Sequence, residues 1–205
     1  MEYCVFDLDG TIISLPVQWD KVRSDLRRLT NTSLDFNPFF LDVQTIVAKD
    51  PALFAPMMRT IDDYESKAVP AAKLEPGALD ALSSLSRRAK LSLVTMQGRA
   101  ASSSILDQLH IRKYFESSFA REDSMDRVTQ LGMALKSLRA RKDRAFFVGD
   151  RINDLNAARV AGVRFVMIRK RSDSPPADAL YRSMTEFASS PWVTGRASSG
   201  SAPGA

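Results

Sequence analysis

The sequence predicts an α/β fold, a doubly wound parallel sheet interrupted by a small helical insertion, and three observations carry that prediction. Short apolar runs leading into Asp7, Thr95 and Gly149 read as buried strands, with a fourth at Arg164 to Ile168. Stretches with helical spacing separate them, and strands alternating with helices imply right-handed crossovers and parallel pairing. Between Leu15 and about Leu74 nothing reads as a strand of that sheet, so this segment is taken as the insertion.

The first strand is Val5-Phe6-Asp7, after which Ile12-Ile13-Ser14-Leu15-Pro16 reads as an apolar, turn-like segment lying over the strand end. Trp19, Val22, Leu26 and Leu29 recur at helical spacing, Asn31 to Pro38 reads as a loop, and Phe39 to Val47 and Pro51 to Tyr64 read as two further helices. Pro51 suits a first helical position because its missing N–H is unbonded there in any case. Ala78 to Arg88 places Leu79, Leu82 and Leu85 on one stripe, and Leu91-Ser92-Leu93-Val94 is a second core strand. Ala100 to Leu109 is helical, Tyr114 to Phe119 leads into a short strand, and Met125 to Leu138 turns Val128, Leu131, Leu135 and Leu138 inward. Ala145-Phe146-Phe147-Val148 is an interior strand, Leu155 to Ala161 a helix stopped by Gly162, and Arg164 to Ile168 the last strand. The expected organisation is a core of residues 1–14 and 75–188, an insertion of residues 15–74, and a disordered tail of residues 189–205 rich in Ser, Gly, Pro and Ala.

A chain of 205 residues with 44% hydrophobic composition is long enough to bury a core, which excludes wholesale disorder. The net charge of +5 is scattered, and its densest cluster, Arg169-Lys170-Arg171, is short, so a solvated basic surface is expected rather than a nucleic-acid partner. Cys4 is the only cysteine, which rules out an intramolecular disulfide and fits a buried thiol in a reducing compartment. No apolar run reaches the length of a membrane span, and the N-terminus lacks the basic and apolar stretches of a signal peptide. A soluble cytoplasmic protein without a membrane partner is the expectation.

Chemistry concentrates where strands end. Asp7 and Asp9 are two apart, so they start on one face of a strand, and Gly10 lets the chain turn sharply after them. Two carboxylates so close repel unless a proton, a metal ion or basic side chains offset the charge.

Asp7-Leu8-Asp9-Gly10-Thr11 resembles the first motif of the haloacid dehalogenase superfamily of phosphohydrolases, and Gly149-Asp150-Arg151-Ile152-Asn153-Asp154 resembles its fourth. Either alone occurs by chance; both, ending core strands in this order with Thr95 ending a strand between them, are specific. The resemblance covers residues 2–170 and implies a Rossmann-like core, with the insertion similar to the helical cap of the phosphoglycolate phosphatase and phosphomutase-like branch.

The resemblance implies that Asp7 is the nucleophile, forming an aspartyl-phosphate, and that Asp9 is the general acid and base. Residue chemistry agrees, since a carboxylate can split one displacement into two and a second carboxyl can move the proton. Asp9 argues against dehalogenation, which has no leaving oxygen to protonate. With Asp150 and Asp154 the local count of acids reaches four, and like charges about 4 Å apart cost roughly 4 kcal/mol per pair at an effective dielectric near 20. A hard divalent cation is implied, and Mg²⁺ suits carboxylates, water and substrate phosphate. By resemblance, Asp7 and Asp150 bind it through side chains, Asp9 through its carbonyl, and Asp154 supports it. The plainer alternative for Asp150 and Asp154 is helix capping.

Thr95 can donate its hydroxyl to a phosphoryl oxygen, helped by the amides of Met96 and Gln97. The family's third motif supplies a lysine or arginine before the fourth-motif strand. Arg127 fits best, with Arg121 next and Lys136 behind; Lys142 reads as a solvated charge. His110 reads as a helix-end residue, and Trp19 and the Phe39-Phe40 pair as the insertion's core, with a role lining the substrate as the alternative. Arg59, Lys67 and Arg99 are candidates to touch an anionic substrate. The expected activity is Mg²⁺-dependent hydrolysis of a small phosphorylated metabolite. The rivals are a phosphomutase or phosphotransferase of the same fold and a non-catalytic binding protein that keeps it.

Overall fold

The computed structural model describes residues 2–168 and 177–194. In chain order the elements are β1 (Tyr3–Asp7), β2 (Ile13–Ser14), α1 (Trp19–Thr30), α2 (Phe39–Lys49), α3 (Phe54–Ala68), β3 (Lys73–Leu74), α4 (Ala78–Ser86), β4 (Lys90–Val94), α5 (Arg99–Gln108), β5 (Ser117–Phe119), α6 (Arg127–Ser137), β6 (Ala145–Gly149), α7 (Ile152–Ala161), β7 (Arg164–Ile168), β8 (Ala179–Tyr181), α8 (Met184–Ala188) and α9 (Pro191–Thr194).

Six strands form one parallel sheet in the order β5-β4-β1-β6-β7-β8. Counted along the chain within that sheet, the order is 3-2-1-4-5-6, the doubly wound arrangement whose direction of winding reverses between its first and fourth strands. Those strands are β1 and β6. They pair with Phe6 opposite Val148, which brings the residues after both carboxyl ends to the same crevice. The predicted α/β class is therefore the observed one.

Alternation along the strands divides the core into two layers. Cys4, Phe6, Phe146 and Val148 face the layer of α4, α5, α8 and α9, while Val5, Ala145 and Phe147 face α6 and α7. Both faces are covered, which is why these strands read as continuous apolar runs. Helices α1, α2 and α3 gather a third cluster of Val22, Leu26, Phe36, Val43, Ile46, Met57 and Ile61. Trp19, Phe39 and Phe40 belong to it, with ring centroids of Trp19 and Phe40 each 5.1 Å from that of Phe39.

Several details depart from the sequence expectation. Leu79 is 46% exposed; the inner stripe of α4 is Ala78, Ala81, Leu82 and Leu85, because the alanines lie on the face turned to the core. Arg164 to Ile168 is not the last strand, since β8 follows and pairs parallel with β7. The turn-like segment after Thr11 contains β2, which pairs antiparallel with β3 and ties the two ends of the insertion together. Residues 189–194, expected to belong to a disordered tail, are ordered instead: α9 packs against the core, with Val193 buried and the Trp192 ring 5.6 Å from Phe146. Residues 195–205 and the Arg169–Arg171 cluster lie outside the described residues. No described helix is long and apolar enough to cross a membrane.

Candidate active site

Asp7 is the last residue of β1, and its side chain falls on the face covered by α6 and α7. One oxygen each from Asp7, Asp150 and Asp154 lie within 4.8 Å of one another. Asp150 follows β6, and Asp154 lies in the first turn of α7. The sheet thus brings together three of the predicted acids at the point where its winding reverses.

Arg127 enters this group as the first residue of α6. Its Nη2 donates to Asp7 Oδ1 at 2.8 Å, its Nε lies 3.1 Å from Asp154 Oδ1, and its Nη1 donates to Gln130 Oε1 at 3.1 Å. The Asp126 carboxylate caps the helix, accepting from the Thr129 amide at 2.8 Å and from its hydroxyl at 2.6 Å. Bonding to Thr129 holds the Asp126 carboxyl below its ordinary range. Asp126→Ala is expected to cost about 1 kcal/mol in denaturant unfolding. A depressed acid stabilises fully above its unfolded pKa, so the difference between wild type and variant should shrink as pH falls through the carboxylate range.

Burial pushes the Asp7 carboxyl well up, opposed by Arg127 and reinforced by Asp154 and Asp150. The Asp154 carboxyl is likewise raised by burial, and Asp150 is pushed to about 6 by burial and its neighbour Asp154. Arg127 therefore offsets only part of the charge. Asp150 Oδ1 is buried with no hydrogen-bond partner among the described residues, and Arg151 Nε is 3.9 Å away, beyond hydrogen-bonding distance. An all-oxygen donor set with an orphaned buried carboxylate oxygen fits a hard divalent cation.

Gly10 and Gly149 leave room for this group. A Cβ on Gly10 would stand 2.5 Å from Asp150 Oδ2, and one on Gly149 would stand 2.7 Å from Asp154 Oδ2. Gly10 also has φ of +88°, so Gly10→Ala should lose about 1–2 kcal/mol in thermal or denaturant unfolding and displace the Asp150 carboxylate.

Asp9 lies two residues beyond the end of β1, close enough to Asp150 for its charge to raise that carboxyl. The strand ends at Asp7, so period-two geometry no longer applies, and Asp9 Oδ1 instead accepts from the Leu15 amide at 2.9 Å beside β2. Its carboxyl is raised chiefly by burial. Asp154 also realises the capping alternative: its Oδ2 accepts from the Arg151 amide at 3.2 Å while Oδ1 meets Arg127.

Thr95 is buried just beyond β4. Its hydroxyl donates to Gln97 Oε1 and accepts from the Gln97 amide at 3.1 Å. The Met96 carbonyl accepts from Arg121 Nη1 at 2.9 Å. Arg121, the second choice for the third-motif cation, points to the insertion, where it pairs with Glu65 and Asp62. Lys136 and Lys142 are exposed, and His110 lies exposed just past the end of α5 with φ of +55°. Arg99 pairs with Asp123 at 2.8 Å, and Lys67 stacks 5.6 Å over the Tyr64 ring. Arg59 lines a concavity of about 380 Å³ on the insertion, with Leu29, Pro56, Thr60, Asp62 and Asp63.

A residue beside Arg127 escaped the sequence reading. Gln130 is fully buried, and its amide nitrogen meets the carbonyls of Thr95, Ala120 and Ser124 at 2.8–3.0 Å while its oxygen holds Arg127. Its spacing of three from Arg127, among the apolar positions of α6, was the available clue.

A doubly wound sheet with an acid cluster and a buried arginine at its reversal point defines the class. The sequence model of haloacid dehalogenase-like hydrolases matches residues 25–168, and the chain belongs to that family. No curated protein matches it. Among solved structures, a provisional phosphoglycolate phosphatase from Lactobacillus plantarum is similar at a TM-score of 0.72 and 18% identity, over 91% of this chain and 98% of that one. A haloacid dehalogenase-like hydrolase from Streptococcus pneumoniae has a TM-score of 0.70 at 17% identity, over 91% and 96%. A provisional β-phosphoglucomutase from Thermotoga maritima has 0.65 at 17%, over 92% and 97%. At such identities the likeness concerns the fold.

Proposed function

We propose that this hydrolase is a Mg²⁺-dependent phosphatase acting on a small phosphomonoester, with Asp7 as nucleophile and Asp9 as general acid and base. The observation that carries the reading is the placement of Asp7 at the sheet's reversal point, bonded to Arg127 and within 4.8 Å of carboxylate oxygens of Asp150 and Asp154.

An oxygen of Asp7 attacks phosphorus as the ester P–O bond breaks, and Asp9 protonates the departing oxygen. Burial raises the Asp9 carboxyl, which favours the protonated form this step needs. Water then attacks the aspartyl-phosphate, gives its proton to Asp9, and releases phosphate with Asp7 restored. Arg127, already on Asp7, supplies positive charge to the transferring group, and Thr95 and the Met96 amide supply donors. For Thr95 this requires its hydroxyl to exchange Gln97 for a phosphoryl oxygen. Asp7, Asp150 and Asp154, with the Asp9 carbonyl, would hold Mg²⁺, which when bound neutralises carboxylate and phosphate charge. The insertion, residues 15–74, acts as a cap that excludes water and large substrates and opens for release.

A screen of phosphorylated metabolites with Mg²⁺ and with chelator tests the reading. Release of inorganic phosphate that stops on chelation is expected; no turnover of any phosphomonoester with Mg²⁺ overturns it. Likeness to a provisional mutase motivates the second reading, transfer to another hydroxyl. Product analysis separates them, because hydrolysis releases inorganic phosphate and transfer does not.

A further inference from the structure

The turn from Thr95 to Gly98 connects β4 to α5 at the candidate site, and two charged residues hold its backbone. Arg121 lies after β5 and Glu65 on α3 of the insertion; their side chains are 3% and 1% exposed. Arg121 Nη1 donates to the Met96 carbonyl at 2.9 Å, and its backbone amide donates to the Gln97 carbonyl at 3.2 Å. Glu65 Oε2 accepts from the Gly98 amide at 2.9 Å. The two residues join through Arg121 Nη1 to Glu65 Oε1 at 2.9 Å and Nη2 to Oε2 at 3.1 Å.

Peptide units are planar, so a carbonyl and the following N–H point in opposite directions. With the Met96 carbonyl on Arg121, the Gln97 amide must face the other way, where it meets the Thr95 hydroxyl at 3.1 Å. The next unit is held at both ends, its carbonyl by Arg121 and its N–H by Glu65. Phe40, also of the insertion, covers the guanidinium at 5.6 Å, and Asp62 bonds to Nη2. Gly98 makes room, since a Cβ there would stand 2.9 Å from Arg121 Nη2 and 2.8 Å from Asp62 Oδ1.

We propose that Arg121 and Glu65 are positioning residues that orient the Thr95–Gly98 turn for phosphoryl binding only while the insertion is seated on the core. This rests on the reading of Thr95 and Met96 as phosphoryl donors. Lifting α3 takes Glu65 from both Arg121 and the Gly98 amide, so the movement that opens the site also relaxes the turn.

Gly98→Ala is the sharpest probe, because φ of −62° and ψ of 150° are ordinary for alanine and the added methyl acts only by pressing on the ion pair. Arg121→Met and Glu65→Ala remove one partner each, and Glu65→Gln keeps one acceptor oxygen for the Gly98 amide while losing the second acceptor and the charge that face Arg121. Amide hydrogen exchange should quicken at Gln97 and Gly98 in Gly98→Ala, Arg121→Met and Glu65→Ala while β4 stays protected, and Glu65→Gln, which keeps the Gly98 acceptor, should quicken less than Glu65→Ala at Gly98. With p-nitrophenyl phosphate and Mg²⁺, kcat should fall by about 10²-fold in the same three, as expected for misplaced binding groups, and by less in Glu65→Gln. Inorganic phosphate should bind more weakly to them in calorimetric titration. Unchanged exchange at Gln97 and Gly98 in folded Gly98→Ala and Arg121→Met overturns the proposal. If wild type neither turns over the ester nor binds phosphate, the phosphatase reading fails; the exchange pattern still decides whether the pair orients the turn.

Discussion

Arg127→Met should destabilise the metal-free protein by about 3–5 kcal/mol, and Mg²⁺ should recover much of that loss. Breaking a buried charge group by removing one partner leaves the remaining charges uncompensated, which costs far more than losing an exposed ion pair. Here the guanidinium is bonded to Asp7 and in contact with Asp154, and Asp150 stands within reach of both acids. Without it, three clustered carboxyls face one another with only the exposed Arg151, 3.9 Å from Asp150, as a nearby cation. A divalent ion then supplies the missing charge, so the rise in melting temperature on adding Mg²⁺ should be larger in Arg127→Met than in wild type. Methionine fills most of the arginine's volume, so cavity formation contributes little. Chemical denaturation with and without Mg²⁺ measures both quantities. Wild-type stability in the metal-free variant contradicts the charge argument.

Asp7→Asn should lose on the order of 10⁴-fold or more in kcat while keeping the fold, the scale seen when a catalytic nucleophile is removed. The amide oxygen can still accept from Arg127, and the amide cannot attack phosphorus. Burial penalises the Asp7 charge, so its removal should leave metal-free stability unchanged or raised. Loss of activity with retained stability separates chemistry from folding in this variant, a separation that Arg127→Met does not offer.

What was legible in the sequence follows physical lines. Strands β1 and β6 are covered on both faces, so continuous apolar runs marked them, and the acids following them marked the sheet's reversal point. The three-residue β8 at the sheet edge, with Leu180 48% exposed, presents too little apolar pattern to be read. Leu79 misled because leucine was taken as the inner residue where alanines pack closest. Asp7, Asp150, Asp154 and Arg127 could be placed together through the family resemblance, and each lies at or beside the end of a regular element. Strand spacing oriented Asp9 from Asp7, but Asp9 lies beyond the strand, where a turn and the Leu15 amide direct its side chain. The Arg121–Glu65 pair joins residues 56 positions apart on different elements, a contact that no local pattern reveals.

The most direct test of the account is acid quenching of the enzyme during turnover of a phosphomonoester with Mg²⁺, followed by mass spectrometry of its peptides. The account predicts one phosphoryl group on the peptide containing Asp7, at that residue, and none in Asp7→Asn. Full turnover by Asp7→Asn, or a phosphoryl group carried by a different residue, would contradict it.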